Sequence, residues 1–134
     1  MLDWGNYDNF RVHEFACHGQ DCCGGLANMD EEFMEALQML RSTVGKPFKI
    51  NSGYRCPKHN EDVGGGLPHP TGKAADIHAG GEFAHDIIKA AMRDGRFQGF
   101  GFKQKGKFRK RFLHLDTIKP GEIPEVERPR LWSY

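Results

Sequence analysis

Long hydrophobic runs are missing from this sequence of 134 residues. No apolar stretch approaches the roughly 20 residues that a helix needs to cross a bilayer. The first five residues, MLDWG, have neither the basic nor the apolar region of a secretory signal peptide. We therefore expect synthesis in the cytoplasm without a signal peptide, and no membrane insertion. Internal repeats and low-complexity linkers are missing too, which at this length predicts a single domain over residues 1–134.

An excess of charge of one sign is also missing, since 19 Lys+Arg stand against 18 Asp+Glu. The basic residues are nevertheless concentrated, because residues 96–119 contain eight of them and a single acid, Asp116. Such a cluster can bind nucleic acid or another polyanion such as an anionic cell wall, or it can be a solvated hairpin. No aromatic stacking pattern accompanies the charges, so we expect no nucleic-acid partner.

Cysteine is scarce, with only four residues: Cys17, Cys22, Cys23 and Cys56. Four cysteines can form two disulfides in three possible pairings, but cytoplasmic synthesis favours reduced thiols. A second interpretation is a structural zinc site built from these thiols with His13 or His18, although no CxxC pair is present. The sequence leaves free thiols, disulfides and a zinc site open as alternatives.

Two helices are predicted by apolar periodicity and by their end signals. In the first, Asn28 is the predicted N-cap with Glu31 three residues later, and Gly45 ends the helix. One apolar stripe supports it: Phe33, Leu37, Leu40 and Val44. The second helix is predicted from about Glu82 to Asp94, before Gly95.

The rest of the chain is predicted as short strands and loops. Strands are expected at residues 48–51, 74–78, 97–102 and 108–117, and an extended loop at residues 57–73, which are rich in Pro and Gly. Residues 120–134, with three prolines, are expected to wrap the surface as a tail. Two main helices among several short strands predict an α+β fold with a small antiparallel sheet.

Alternation along two of these strands brings metal-binding side chains together. Leu113 and Leu115 face one side of their strand, so His114 faces the other. By the same alternation Asp76 faces away from the core, together with His78. If the two strands are neighbours, Asp76 and His114 share a face, and His69 can reach them from the preceding loop. Two imidazoles and one carboxylate with an open fourth position are typical of a catalytic zinc site.

Three motifs in order resemble the zinc D-Ala-D-Ala carboxypeptidase family, the M15-type peptidases. The metal motif S-x-H-x-x-G-x-A-x-D is met from His69 to Asp76, and the second motif, H-x-D, by His114 and Asp116. Residues 52–60, SGYRCPKHN, resemble a third block. The similarity is to the small branch that includes phage endolysins and bacterial cell-wall peptidases, with a zinc site similar to that of Hedgehog domains.

The resemblance implies a zinc metallopeptidase that hydrolyses peptidoglycan stem or cross-link peptides, which contain D-amino acids. It implies one Zn²⁺ per chain, bound by His69, Asp76 and His114, and a monomer that acts on the bacterial cell wall, from a phage or a bacterium. We expect Arg55 to bind a substrate carboxylate or the developing oxyanion.

The sequence departs from the family pattern at two places. Leu67 stands where the family has a serine, and residues 111–113, Arg-Phe-Leu, stand where some relatives carry the general base. Asp116 is then the best candidate for the base. Two alternatives to a peptidase are a non-catalytic zinc-bearing binding module of the same fold and a nucleic-acid-binding domain that uses residues 96–119. The residues do not separate exopeptidase from endopeptidase action.

Overall fold

A five-stranded sheet organises the computed structural model, which describes residues 2–134. Its strands are β1 (Lys49–Ser52), β2 (Ala74–His78), β3 (Gly99–Lys103), β4 (Phe112–Asp116) and β5 (Arg130–Ser133). Their order across the sheet is β1-β2-β4-β3-β5. The first three pairings are antiparallel, whereas β5 pairs with β3 in parallel, so the sheet is mixed. The predicted α+β class is confirmed.

The two long helices have identifiable signals at their ends. Helix α1 spans Glu31–Val44, and its N-cap is Asp30, whose carboxylate accepts from the N–H of Phe33 at 3.0 Å. The predicted cap, Asn28, is therefore wrong by two residues, because the cap oxygen must reach the N–H three positions along the chain. Gly45 ends the helix in the left-handed conformation (φ 77°). Helix α3 spans Gly81–Asp94 and ends at Gly95 in the same way, close to the prediction.

Residues 57–73 are more regular than the extended loop that their composition predicts. Helix α2 covers Pro57–Asp62, with proline at its first position and the Cys56 sulfur accepting from the N–H of His59. A short 3-10 helix, His69–Thr71, follows directly before β2. Proline is favourable at the first turn of a helix because its missing N–H has no partner there, so a proline-rich segment can start short helices.

The core lies between one face of the sheet and the two long helices. The inward residues of β2 and β4 are fully buried: Ala75, Ile77, Leu113 and Leu115. They belong to one apolar cluster with Phe33 and Leu37 of α1 and Ile87 of α3. The alternation predicted for both strands is thus confirmed, and it turns the polar side chains of β2 and β4 to the opposite face. Among residues 2–134, no helix is long and apolar enough to cross a membrane.

The C-terminal tail contributes to the sheet. Residues 130–133 form β5 at its edge, and Trp132 lies opposite Gly101 of β3. A side chain at Gly101 would overlap the Trp132 ring, so the tail packs closely on the strand. The sequence predicts a surface tail here because a four-residue edge strand has too few positions to show alternation.

Candidate metal centre

Asp76 and His114 lie directly opposite each other on the antiparallel pair β2 and β4. Their side chains share the face away from the core, as alternation predicts. The 3-10 helix before β2 adds His69, which is buried beside them. Asp76 Oδ1 lies 3.1 Å from His114 Nδ1 and 3.3 Å from His69 Nε2. The structure therefore brings together the three residues that the sequence nominated as metal ligands.

A glycine allows the segment that carries His69 to lie against the start of α1. Gly72 ends the short helix with φ 75°, a conformation that side chains other than glycine rarely adopt. A Cβ at this position would also overlap the carbonyl of Asn28, and the Gly72 carbonyl accepts from the N–H of Asp30 at 2.9 Å. These contacts fix the turn that places His69 over the strands.

The outer nitrogen of each histidine is held by an oxygen acceptor. His69 Nδ1 lies 2.8 Å from the carbonyl oxygen of Gly53, and His114 Nε2 lies 2.8 Å from Oδ2 of Asp116. A carbonyl or carboxylate oxygen only accepts, so each outer nitrogen carries the hydrogen and donates it. The inner nitrogens, which face Asp76, are then the positions that a metal ion would use, an arrangement common for histidine ligands.

The charges of the site favour an ionised carboxylate. Burial raises the pKa of Asp76, but hydrogen bonds from His114 and His69 outweigh it and hold that pKa well below its usual range. Burial lowers the pKa of His114, whereas its hydrogen bonds to Asp116 and Asp76 raise it more, so the net direction is upward. A cation between these groups would satisfy the carboxylate that the two imidazoles now satisfy.

The spacing of the inner atoms fits a tetrahedral metal ion. Zinc binds nitrogen and oxygen at about 2.0–2.1 Å, so two ligands of a tetrahedron lie about 3.3–3.4 Å apart. The two separations from Asp76, 3.1 and 3.3 Å, are close to this value, and all three donor atoms lie within 4.8 Å of one another. Three donors leave one tetrahedral position open.

Asp116, the sequence candidate for the base, is completely buried. Arg128 binds both of its oxygens, with Nε at 2.9 Å from Oδ1 and Nη2 at 2.6 Å from Oδ2. Oδ2 also accepts from His114, and a side chain at Gly99 would overlap the carboxylate. Burial raises the pKa of Asp116, but hydrogen bonds from His114 and Arg128 lower it by more, so the net direction is downward. The group is therefore an ionised carboxylate held inside the protein. Sequence reasoning missed Arg128, because no motif links it to Asp116.

Arg55 lies at the edge of the same cluster. Its Nη2 is 3.7 Å from Asp76 Oδ2, and its Nη1 donates to Asn60 Oδ1 at 3.3 Å. Its Nε is buried without a hydrogen-bond partner among the described residues. The guanidinium therefore keeps donor capacity for a ligand, at the position where the sequence predicted substrate binding.

A cavity of about 420 Å³ opens over the two histidines. Its wall combines His69, His114 and Arg55 with Leu67 and Pro68 of the preceding loop. The tail supplies the other side, which includes Glu125, Glu127, Arg130, Trp132 and Tyr134. The Trp132 ring packs against the His114 ring with centroids 5.0 Å apart. The tail residues of this wall had no signal in the sequence, because only the sheet pairing brings them here.

Comparison with known proteins agrees with this geometry. A family profile described as peptidase M15 matches residues 8–116, which is most of the chain and includes His69, Asp76, His114 and Asp116. The chain belongs to the peptidase M15 family. It is on this ground a metallopeptidase, and the resemblance drawn from the three sequence motifs is confirmed. A comparison with curated proteins finds no match. The M15 match ends before the tail that carries Arg128 and Trp132.

The other histidine on this face of the sheet, His78, is not part of the cluster formed by His69, Asp76 and His114 (the His69 cluster). His78 shares a face with Asp76, but its Nδ1 lies 3.0 Å from the carbonyl oxygen of Arg111 and its ring packs on Phe108 at 5.0 Å. The groups with metal-binding geometry in residues 2–134 are the His69 cluster and a second cluster of four cysteines, which includes neither His13 nor His18.

Proposed function

We propose that this M15 metallopeptidase is a zinc peptidase that hydrolyses peptide bonds of peptidoglycan stem or cross-link peptides. One observation carries the proposal. Three inner donor atoms, from His69, Asp76 and His114, converge within 4.8 Å of one another below an open cavity. Zinc held by these residues would supply a water of lowered pKa and a Lewis acid that polarises the scissile carbonyl. A single zinc peptidase domain over residues 1–134 is part of the proposal.

The three ligands and their partners are pre-arranged for this role. Gly53 and Asp116 hold the two imidazoles in place through the outer nitrogens, so the inner nitrogens can bind an ion that replaces their hydrogen bonds to Asp76. We propose that Asp116 orients His114 and raises its basicity, because its oxygens are bonded to Arg128 and His114 and it does not line the cavity. This replaces the sequence hypothesis that Asp116 is the general base.

A base must reach the water from the cavity side. The carboxylates that line the cavity are Glu125 and Glu127, both exposed on the tail. We propose that one of them accepts the proton of the water and returns it to the leaving amine. Glu125→Gln and Glu127→Gln keep side-chain size, and the variant that removes the base should lower turnover by roughly 10²–10⁴ with zinc retained. Normal turnover in both variants would exclude the tail carboxylates.

The cavity also suits a peptide with free carboxylates. Arg55 and Arg130 lie in its wall, and guanidinium groups bind carboxylates through paired hydrogen bonds. Trp132 and Tyr134 add flat apolar surfaces against which a peptide chain can pack. Peptidoglycan stem peptides carry carboxylates, which supports them as substrates. We propose that the protein acts on the bacterial cell wall as a monomer, from a phage or a bacterium.

One observation favours a second candidate, a non-catalytic zinc-bearing binding module of the same fold. Arg111 stands where some relatives carry the base, and Asp116 is buried in an ion pair. If neither tail glutamate acts as a base, the chain would bind zinc and a peptide without cleaving it.

Digestion of purified peptidoglycan separates the two candidates. We expect the zinc-loaded protein to release peptide fragments whose masses identify the bond cleaved, and His114→Ala to release none. His85→Ala, a change at an exposed histidine outside the cluster, serves as the matched control. Full zinc occupancy with no fragments from any wall type would favour the binding module and contradict the peptidase.

A further inference from the structure

The four cysteines form a second cluster, separate from the His69 cluster. Their sulfurs all lie within 4.8 Å of one another, and the Cys17 and Cys22 sulfurs are 4.0 Å apart. Cys17 and Cys56 are buried, and Cys22 and Cys23 are partly buried. All four are free thiols. The chain thus gathers all of its cysteines, from positions up to 39 residues apart, at one point.

The spacing suits a metal ion bound by four sulfurs. Zinc binds thiolate at about 2.3 Å, so two sulfurs of a tetrahedron lie about 3.8 Å apart. The 4.0 Å between Cys17 and Cys22 is close to this value. Two disulfides would bring the sulfurs together only two by two, whereas here each sulfur lies within 4.8 Å of the other three. A set of four protein ligands leaves no open position, which is the property of a structural site.

Backbone amides are arranged around the sulfurs as donors. The N–H of His59 donates to the sulfur of Cys56 at 3.4 Å, and the N–H of Cys56 donates to the sulfur of Cys17 at 3.5 Å. Such N–H groups suit metal-bound sulfur, because a coordinated thiolate accepts hydrogen bonds. Close packing leaves little room for rearrangement, since a side chain at Gly19 would overlap the Cys22 sulfur and His59.

The cysteine cluster joins the N-terminal segment to residues 53–56, which lie beside the His69 cluster. Cys17, Cys22 and Cys23 belong to residues 16–30, before α1, and Cys56 directly follows Arg55. Between them, the N–H of Tyr54 donates to the carbonyl of Phe15 at 2.9 Å. A side chain at Gly53 would overlap Phe15, so the two segments are in direct contact.

We propose that Cys17, Cys22, Cys23 and Cys56 bind a structural Zn²⁺ ion, distinct from the ion at the His69 cluster. By holding residues 53–56 against the N-terminal segment, this ion fixes the Gly53 carbonyl that orients His69 and the start of the Arg55 side chain. Of the alternatives that the sequence leaves open, the geometry selects the zinc site, with four thiolates and no histidine.

Metal analysis of matched variants tests the proposal without measuring hydrolysis. We expect two zinc ions per wild-type chain and one in His114→Ala. Double replacement Cys22→Ser/Cys23→Ser should also leave one, at the His69 cluster. His18→Ala should keep two, because the four sulfurs complete the site without it. A His114→Ala protein without zinc would overturn the proposal, as would a normal zinc count in the double cysteine variant.

Two measurements on the wild-type chain keep the test valid if a variant fails to fold. Cobalt exchanged for zinc should show sulfur-to-cobalt charge-transfer absorption, which the His69 cluster has no sulfur to produce. Thiol titration of unreduced, denatured protein with a chelator should find all four thiols. Absence of the absorption, or only two thiols or none, would overturn the proposal. Two bound zinc ions without peptidoglycan cleavage would remove the peptidase function and leave this site in place.

Discussion

The two clusters of candidate metal ligands in this protein differ in composition and in what surrounds them. The His69 cluster offers three donors of two kinds, and a cavity opens above it. The cysteine cluster offers four identical donors, two of them buried, tied to backbone amides. An open coordination position permits chemistry on a substrate, whereas a closed one only holds segments together. In the functions proposed for the two clusters, the number of ligands separates the reactive site from the structural one.

The largest effect is expected when one candidate ligand of the His69 cluster is removed, since only this cluster has an open position. His114→Ala should reduce peptide hydrolysis to background, because two donors hold zinc poorly and the water is no longer activated. The fold should remain, since the core lies on the other face of the sheet. Turnover and circular dichroism check both points, and His78→Ala is the control on the same face. Retained turnover with the zinc lost would contradict a metal-dependent mechanism.

The next largest effect is expected at Arg128, which binds Asp116 behind the His69 cluster. Arg128→Ala leaves the Asp116 carboxylate buried without its ion-pair partner, which typically costs about 3–5 kcal/mol. Urea unfolding of the chelated protein measures this loss free of zinc binding. Arg130→Ala, at an exposed arginine that also lies on Trp132, should cost much less. Equal losses in the two variants would show that the buried pair contributes nothing special.

Asp116→Asn separates an orienting role from a base. An amide can still accept from His114 but bears no charge, so we expect zinc affinity or turnover to fall by about 10- to 100-fold, as is usual for residues behind a ligand. Loss of a base would instead cost roughly 10²–10⁴ in turnover at full zinc occupancy. Zinc content and turnover measured on one preparation distinguish the two. Weaker zinc binding supports the orienting role.

The smallest effect is expected at an ion pair outside both clusters, which sets a baseline for them. Hydrogen bonds from Arg96 lower the pKa of Asp94 despite partial burial, which raises it. A lowered pKa stabilises the fold above the unfolded value of about 3.9, and this contribution is lost as pH falls through the folded value. Asp94→Asn should therefore cost about 0.2–1 kcal/mol at pH 7 and less than that near pH 3, below the unfolded pKa. Urea unfolding at the two pH values measures it, and an equal cost at both would contradict an ionic origin.

Much of the ligand set was predictable from local patterns. Strand alternation identifies the outward faces of β2 and β4, because the side-chain period of a strand is two whatever its neighbours are. This placed Asp76 and His114 on one face once the strands paired, and the motif spacing added His69. Helix α3 and the C-terminal end of α1 followed from periodicity and glycine signals. The cap of α1 and the short helices within residues 57–73 did not, because weak local signals compete over one or two residues.

What the sequence determined by itself is the M15 family and the set of candidate ligands, since both depend on residue types at fixed spacing. Only the tertiary structure decided the surroundings of Asp116, because its contact with Arg128 depends on the tail, whose strand β5 pairs with β3. The same pairing put Trp132 and the tail glutamates at the cavity. It was also the folding of residues 16–30 onto residues 53–56 that brought Cys56 to Cys17, Cys22 and Cys23. Contacts between distant segments have no local pattern, so they are set by packing alone.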